Sequence, residues 1–444
     1  MGCLERPLPL ISTMIMTVGL SACVSLSGDG GMAPVQGIAY AELNADAVKV
    51  STESESAAAA ERVAALLKRP LTPGAAVQIA LLNNRGLQAS YNELGISEAQ
   101  YVQASLPPSP RFGFNQLVGD LEVEITRQLV GNVLALATLP ARSEIAQARY
   151  RAAQIRAAEA TLTLAAETRK QFYRAVAANE QVNLIMQTHG SAGDAEVSEA
   201  RMKLRIERER LARLMGQWDD VDYRLPLHVP SLPARIRSVR EAEEQALQRR
   251  LDLRVAKLEL DALAKSLGLT QATRFVSAFD LAAQNRYKST EKDSADSVSK
   301  TKTITNGFVA TIEIPLFDFG QARVAEAEQR YLQAANRLAE MAVNARSEAR
   351  EAYHAYRGTY EIARAHQKRN APTGGLAGIQ AGAKMIDQAA APPEPAPDMQ
   401  EWMSHNIKAI EARRDFWIAD TELTALGSGT RTNGGLGSLG GPQI

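Results

Sequence analysis

Three kinds of side chain in this sequence have the means to do chemistry: thiols, imidazoles and carboxylates. The thiols are only Cys3 and Cys23, too few for a disulfide framework. The five histidines, His189, His228, His354, His366 and His405, form no zinc pattern with nearby Cys or Glu. No glycine loop closes on Lys followed by Ser or Thr to cradle a phosphate, and there is no nucleophile elbow. Asp318 stands after a strand pattern and before Gly320. That position suits a carboxylate that caps a helix start and complements its dipole better than one that moves protons. Glu122, Glu124 and Glu313 alternate with apolar residues. They are candidates to line a pore and tune its ion preference, or they are solvated strand carboxylates with no such role. The reading is of a chain without catalytic residues, metal or cofactor, and not of an enzyme.

Cys23 is the exception that calls for a modification. Leu8 to Leu20 form a short, mostly apolar stretch after Arg6, ending in Leu20-Ser21-Ala22-Cys23. An apolar segment of that length closing on small residues reads as an export signal and not a membrane span. Its ending resembles the lipobox of bacterial lipoproteins. The resemblance implies that residues 1–23 are a lipoprotein signal, with Cys23 diacylated at the mature N-terminus. An ordinary cleaved signal is the alternative. Residues 24–55, small and polar with Gly28, Gly30 and Gly31, are expected to form a flexible tether. The tail 427–444, rich in glycine, is expected to be disordered.

The elements between are set by the change of apolar period along the chain. Of 444 residues 45% are apolar but only 5% aromatic, and 50 basic residues balance 50 acidic ones. Closely packed, alanine-rich helices fit this composition, and a nucleic-acid binder does not. At Ile314-Pro315-Leu316-Phe317-Asp318-Phe319-Gly320 the apolar period passes from two to near 3.6, so a strand gives way to a long helix. A fainter copy of this switch lies at Leu139-Pro140. Pro140, Pro315, Phe317, Asp318 and Gly320 are thus candidate junction residues. Ala80-Leu81, Leu87 and Leu94 are matched by Ala246-Leu247, Leu253 and Leu260, and Tyr173 by Tyr353. A duplicated unit follows, with repeats at 56–218 and 236–426 joined by a rigid linker at 219–235 that carries Pro226, Pro230 and Pro233.

Each repeat is expected to contain a strand pair, at 111–130 and at 274–315. Val123, Ile125 and Leu129 alternate with Glu122, Glu124, Thr126 and Gln128. Ala310, Ile312 and Ile314 alternate with Thr311 and Glu313. One apolar and one polar face suits a transmembrane barrel strand, and equally an antiparallel sheet on a soluble core. Four strands cannot close a barrel, and open edges are not tolerated in hydrocarbon. If these strands enter a membrane, several copies must share one barrel. After each pair a helical hairpin is expected, at 142–217 and at 321–426. The first turns early, at Gly190 to Asp194. The second is interrupted over 370–398 by glycines and by Pro392, Pro393, Pro395 and Pro397.

From Leu71 to Leu426 the chain resembles the outer-membrane efflux proteins of the TolC type, in their lipoprotein branch. The carriers are Leu71-Thr72, Ala80-Leu81-Leu82-Asn83-Asn84, Leu106-Pro107 with Pro110, the Pro315 to Gly320 junction, and Asp415-Phe416-Trp417. The hairpin tips are shortened or divergent relative to the family. The resemblance implies a mixed fold, mainly α, in a homotrimer. Three copies of four strands would make a twelve-stranded transmembrane β-barrel, continued by an α-helical periplasmic barrel. It further implies an outer-membrane location, passive gated conduction, and partners in a periplasmic adaptor and an inner-membrane pump. Two other readings stay open: a lipid-anchored periplasmic coiled-coil adaptor or structural protein, and a divergent, non-conducting paralogue of the channel.

Overall fold

The computed structural model describes residues 25–189, 195–218, 223–237, 248–294, 297–369 and 397–430. Cys23, the turn at Gly190 to Asp194, most of the 370–398 interruption and the tail beyond Thr430 lie outside them. Two compact units are present.

The first unit holds the sheet. Strands β1 (Arg111–Val118), β2 (Glu122–Asn132), β3 (Ala278–Ser294) and β4 (Ser297–Glu313) pair antiparallel in the order β1-β2-β3-β4. The two strand pairs are therefore joined through β2 and β3, from Glu122 opposite Thr290 to Asn132 opposite Asp280. Mostly polar residues, 287–294 and 297–303, form the end of β3 and the start of β4. Threonine, frequent in this run, is well tolerated on the pleat. The same unit contains stretches of helix in which Ile145 and Ala148 pack on Ala262 and Leu269. Tyr101 and Tyr150 stack with ring centroids 5.6 Å apart.

The second unit is helical. It contains α1 (Ala33–Leu43), α2 (Glu53–Leu67), α3 (Pro73–Asn83), α7 (Ala195–Leu214) and α10 (Pro397–Gly427). Four further helices run from one unit into the other: α4 (Arg85–Ser105), α6 (Leu139–His189), α8 (Leu251–Ala272) and α9 (Gln321–Arg369). A five-residue helix, α5 (Val133–Ala137), precedes α6. The helix α6 has 51 residues, whereas the return helix α7 has only 20. Along α6 the buried positions include Ala152, Ala157, Ala158, Leu162, Ala165 and Val176. Small side chains at such positions let neighbouring helices approach closely.

The duplicated pattern places equivalent aromatics in two cores. Tyr173 packs with Phe172, Leu211 and Met215, and Tyr353 packs with Tyr356, Tyr360 and Phe416. Trp417 lies against both clusters. It stacks on Tyr173 at 5.6 Å and donates its indole N–H to the Pro230 carbonyl at 2.9 Å. The proline-rich segment 223–237 is neither helix nor strand, and side chains strap it down. Asn179 donates to the Pro226 carbonyl, Glu180 accepts from the Val229 N–H, and Tyr360 donates to the Pro233 carbonyl.

The expected tether is corrected. Residues 33–43 are helical, and Met32, Val35, Ala39, Ala45 and Ala47 are buried. Thr52 accepts from the Glu55 N–H while the Glu55 carboxylate accepts from the Thr52 N–H, a capping box that starts α2. Small residues here pack flush on the body, a use that composition cannot tell from flexibility.

Candidate functional site

The site with the most distinct chemistry is the sheet, and its faces follow from register. Residues directly opposite each other on antiparallel strands share a face. One face therefore carries Glu122, Glu124 and Thr126 from β2, Gln284, Arg286 and Lys288 from β3, and Thr303, Thr305 and Glu313 from β4. The other carries Phe112 and Phe114, Ile125 and Leu129, Leu281, Phe308 and Ile312. The apolar face is bare: Phe308 is 83% exposed and Phe112 74%. Soluble monomers rarely leave so broad an apolar surface to water. A polar row, Arg127, Asn285 and Asn306, crosses it, with Asn285 donating to Asn306 at 2.7 Å.

The structure brings Glu122 and Glu124 together but not Glu313. Glu122 pairs with Lys288 at 2.5 Å and Glu124 with Arg286 at 3.1 Å. Both are diagonal cross-strand pairs, since the register partner of Glu122 is Thr290 and that of Glu124 is Lys288. The two carboxylates are thus balanced by two cations on the same face. Glu313 lies opposite Ala278 at the other end of the sheet, roughly 33 Å along β4 from Thr303, which is level with Lys288. Sequence reading missed Lys288 and Arg286, because the β2–β3 register joins residues about 165 positions apart.

The junction after β4 is built by backbone geometry. Phe319 and Gly320 both have positive φ, 48° and 72°. Phe319 donates its N–H to the Pro315 carbonyl, closing a turn at 2.8 Å. A Cβ on Gly320 would sit 2.4 Å from the Arg274 carbonyl oxygen, so only glycine fits there. The Asp318 carboxylate accepts from the N–H of Gly320 at 3.0 Å and of Ala322 at 3.3 Å, at the start of α9. Those bonds hold its carboxyl below the ordinary value of 3.8. Its contribution is therefore present above that value and fades as pH falls through the depressed one. Phe317 projects fully into the surroundings, with Leu316 and Phe319 also exposed.

The first junction differs from the expected twin. β2 ends at Asn132, and Pro140 comes eight residues later, in the first turn of α6. Pro140 therefore does not end a strand; it occupies a helical first turn, where proline's missing N–H costs little. The strand-to-helix change is made by Asn132, whose side chain accepts from the Ala135 N–H at 2.6 Å.

A second matched pair lies in the helical unit. Asn84 breaks α3 from α4 and caps α4 by accepting from the Leu87 N–H. The amides of Asn83 and Asn84 donate to the carbonyls of Gly216 and Leu214 at the end of α7. Gly216 has φ of 66°, and a Cβ there would lie 2.5 Å from the Asn83 carbonyl. In the second repeat the Leu251 N–H donates to the Gly429 carbonyl after α10. There Arg250, buried, holds Asp252 through two bonds of 2.8 and 2.7 Å and Glu348 at 2.6 Å. Burial alone pushes that guanidinium down, and the bonds to Asp252 and Glu348 outweigh it, leaving it above its ordinary value.

Among the described residues no group of His, Cys, Asp and Glu could hold a metal ion. No helix there is long and apolar enough to cross a membrane, which leaves the sheet untouched by that criterion.

Residues 243–371, which include β3, β4 and α9, match the family model for outer membrane efflux proteins. No curated protein sequence matches the chain. Solved structures match its fold over most of its length. A membrane protein from Pseudomonas aeruginosa is 18% identical, over 82% of this chain and 92% of that one, with a TM-score of 0.58. The outer-membrane channel OprN is 16% identical, over 86% and 93%, at 0.57. The open state of the Neisseria gonorrhoeae MtrE outer membrane channel is 19% identical, over 82% and 89%, at 0.55. The chain thus shares the fold of these channels, mainly helical with a four-stranded antiparallel sheet, and its residues 243–371 match the family model.

Proposed function

We propose that this protein is the outer-membrane channel of a tripartite efflux or export system, working as a homotrimer. The carrying observation is the sheet. It has four strands in sequence order, two open edges at β1 and β4, one bare apolar face and one polar face. A sheet of this kind is stable in lipid only if its edges are paired. Edge-to-edge pairing of three copies gives twelve strands, within the range of closed membrane barrels. Lipid then covers Phe112, Phe308 and Ile312, while water in the lumen solvates Glu122, Glu124 and Glu313. Phe317, fully exposed beside the end of β4, suits the aromatic girdle at a membrane interface.

In this reading the long helices α6 and α9 continue the conduit into the periplasm. Cys23 carries the lipid that adds a second attachment to the outer membrane. A periplasmic adaptor and an inner-membrane pump deliver the cargo, and the channel itself is passive. The shortness of α7 against α6 sets the part of the assembly where docking has to differ from longer relatives.

Planar-bilayer recording of the purified full chain tests the proposal. The expected result is stepwise ion conductance from a detergent-stable trimer. A confirmed trimer that stays electrically silent would favour a non-conducting paralogue.

A further inference from the structure

Three arginines converge on one cavity in the sheet-containing unit, and two of them are repeat-related. Arg149 follows Gln147-Ala148 in α6, as Arg323 follows Gln321-Ala322 in α9. Both line a cavity of about 260 Å³ together with Arg330. Only one carboxylate lines it, Glu326, and that group is taken by Arg330 at 2.5 Å. Arg323 donates hydrogen bonds to neutral oxygens, the Arg274 carbonyl and the Ser277 hydroxyl, each at a long 3.3 Å, and its charge also acts on the Asp318 carboxylate outside the cavity lining. Arg149 has no hydrogen-bond or ion-pair partner among the described residues. Two guanidinium groups therefore face one space whose one lining carboxylate is already paired.

The remaining wall is made by Leu263, Ser266 and Thr270 of α8, Thr273 just after it, and Ala327 of α9. The Thr270 and Thr273 hydroxyls donate to the carbonyls of Ser266 and Leu269, so their protons are already used. The donors left for a guest are the two guanidinium forks and the Ser266 hydroxyl. Forks of this kind match the oxygens of a phosphate or phosphodiester. The volume falls below the roughly 300–1,000 Å³ of pockets for drug-sized ligands, so the cavity suits a small anionic group and not a whole cargo molecule.

We propose that this cavity binds a phosphate ester, and that the ester is the headgroup of an anionic phospholipid. The placement supplies the second half of the argument. Thr273 comes five residues before β3 begins, and Arg323 ten residues after β4 ends. If the sheet spans the hydrocarbon core, the residues just beyond its helical end lie in the adjoining headgroup layer. This half rests on the membrane reading above; the anion site itself does not.

The test uses the intact full-length protein in an uncharged detergent. Native mass spectrometry follows retention of short-chain phosphatidylglycerol, with phosphatidylcholine of equal chain length and inorganic phosphate in parallel. The expected result is preferential retention of phosphatidylglycerol, reduced at least tenfold in Arg149→Gln/Arg323→Gln and kept in Arg149→Lys/Arg323→Lys. Circular dichroism and assembly mass establish that each variant is folded. Undiminished retention in the folded Gln variant overturns the site. Inorganic phosphate that competes as well as the lipid overturns the lipid source. Because binding is read in detergent, a failure here is independent of whether the protein conducts in a bilayer.

Discussion

At the residue scale the account turns on positions where one side chain is required by geometry. Gly320 is the sharpest. Its φ of 72° and the 2.4 Å approach of the Arg274 carbonyl leave no room for a Cβ. Gly320→Ala is expected to cost about 1–2 kcal/mol for the left-handed backbone alone, and more for moving Arg274. A lowered melting temperature of the intact assembly checks this; an unchanged one would mean that the junction yields freely. The motif around Gly320 was legible because the change of period and the glycine are both local. Asn132 was not, since nothing nearby marks one asparagine as the cap while Pro140 looks like the stronger signal. Glu122 and Glu124 were legible as one face of a strand. Their neutralisation by Lys288 and Arg286 needed a register that no local pattern encodes.

Among the elements, two aromatic-centred clusters hold the helical part together. The sequence displayed Tyr173 and Tyr353 as equivalents, and they sit in two separate clusters, the first of which also takes in Ile410 from the second repeat. It did not display the clamp in which Asn83 and Asn84 satisfy carbonyls at the end of α7. The Leu214 carbonyl is among the four that any helix leaves unpaired at its C-terminus, and the Gly216 carbonyl follows just beyond it. Asn83→Ala is expected to destabilise the protein by about 1–3 kcal/mol, the cost of part-buried carbonyls left without partners. Chemical denaturation measures it, and Asn83→Asp, which cannot donate, should do no better than alanine. Residues 24–55 show the opposite limit. Thr52 and Glu55 carried a readable capping box, but the alanines and glycines before them gave no hint that Met32 and Val35 are buried.

At the scale of the whole molecule, the polar face of the sheet sets what a pore built from it prefers. Glu122 and Glu124 are offset by Lys288 and Arg286, so weak charge selectivity is expected from this region. Arg286→Glu/Lys288→Glu removes both cations and leaves a run of carboxylates, a ring of which selects cations. Reversal potentials in a salt gradient should move toward the cation value; no movement would place this face away from the conduction path.

The central claim is that β1 of one copy pairs with β4 of the next. Within one chain these edges are separated by two strands, roughly 14 Å at normal strand spacing, beyond the roughly 7 Å a disulfide spans between Cα atoms. Any disulfide between them must therefore join two copies. The decisive measurement combines Asn115→Cys on β1 with a scan of Thr303→Cys, Thr305→Cys and Gly307→Cys on β4. Each oxidised double variant is compared with the parent chain on a denaturing gel. The predicted result is a covalent ladder that ends at the trimer for at least one of these pairs. Absence of cross-links at every position, or a ladder that passes beyond three, would contradict it.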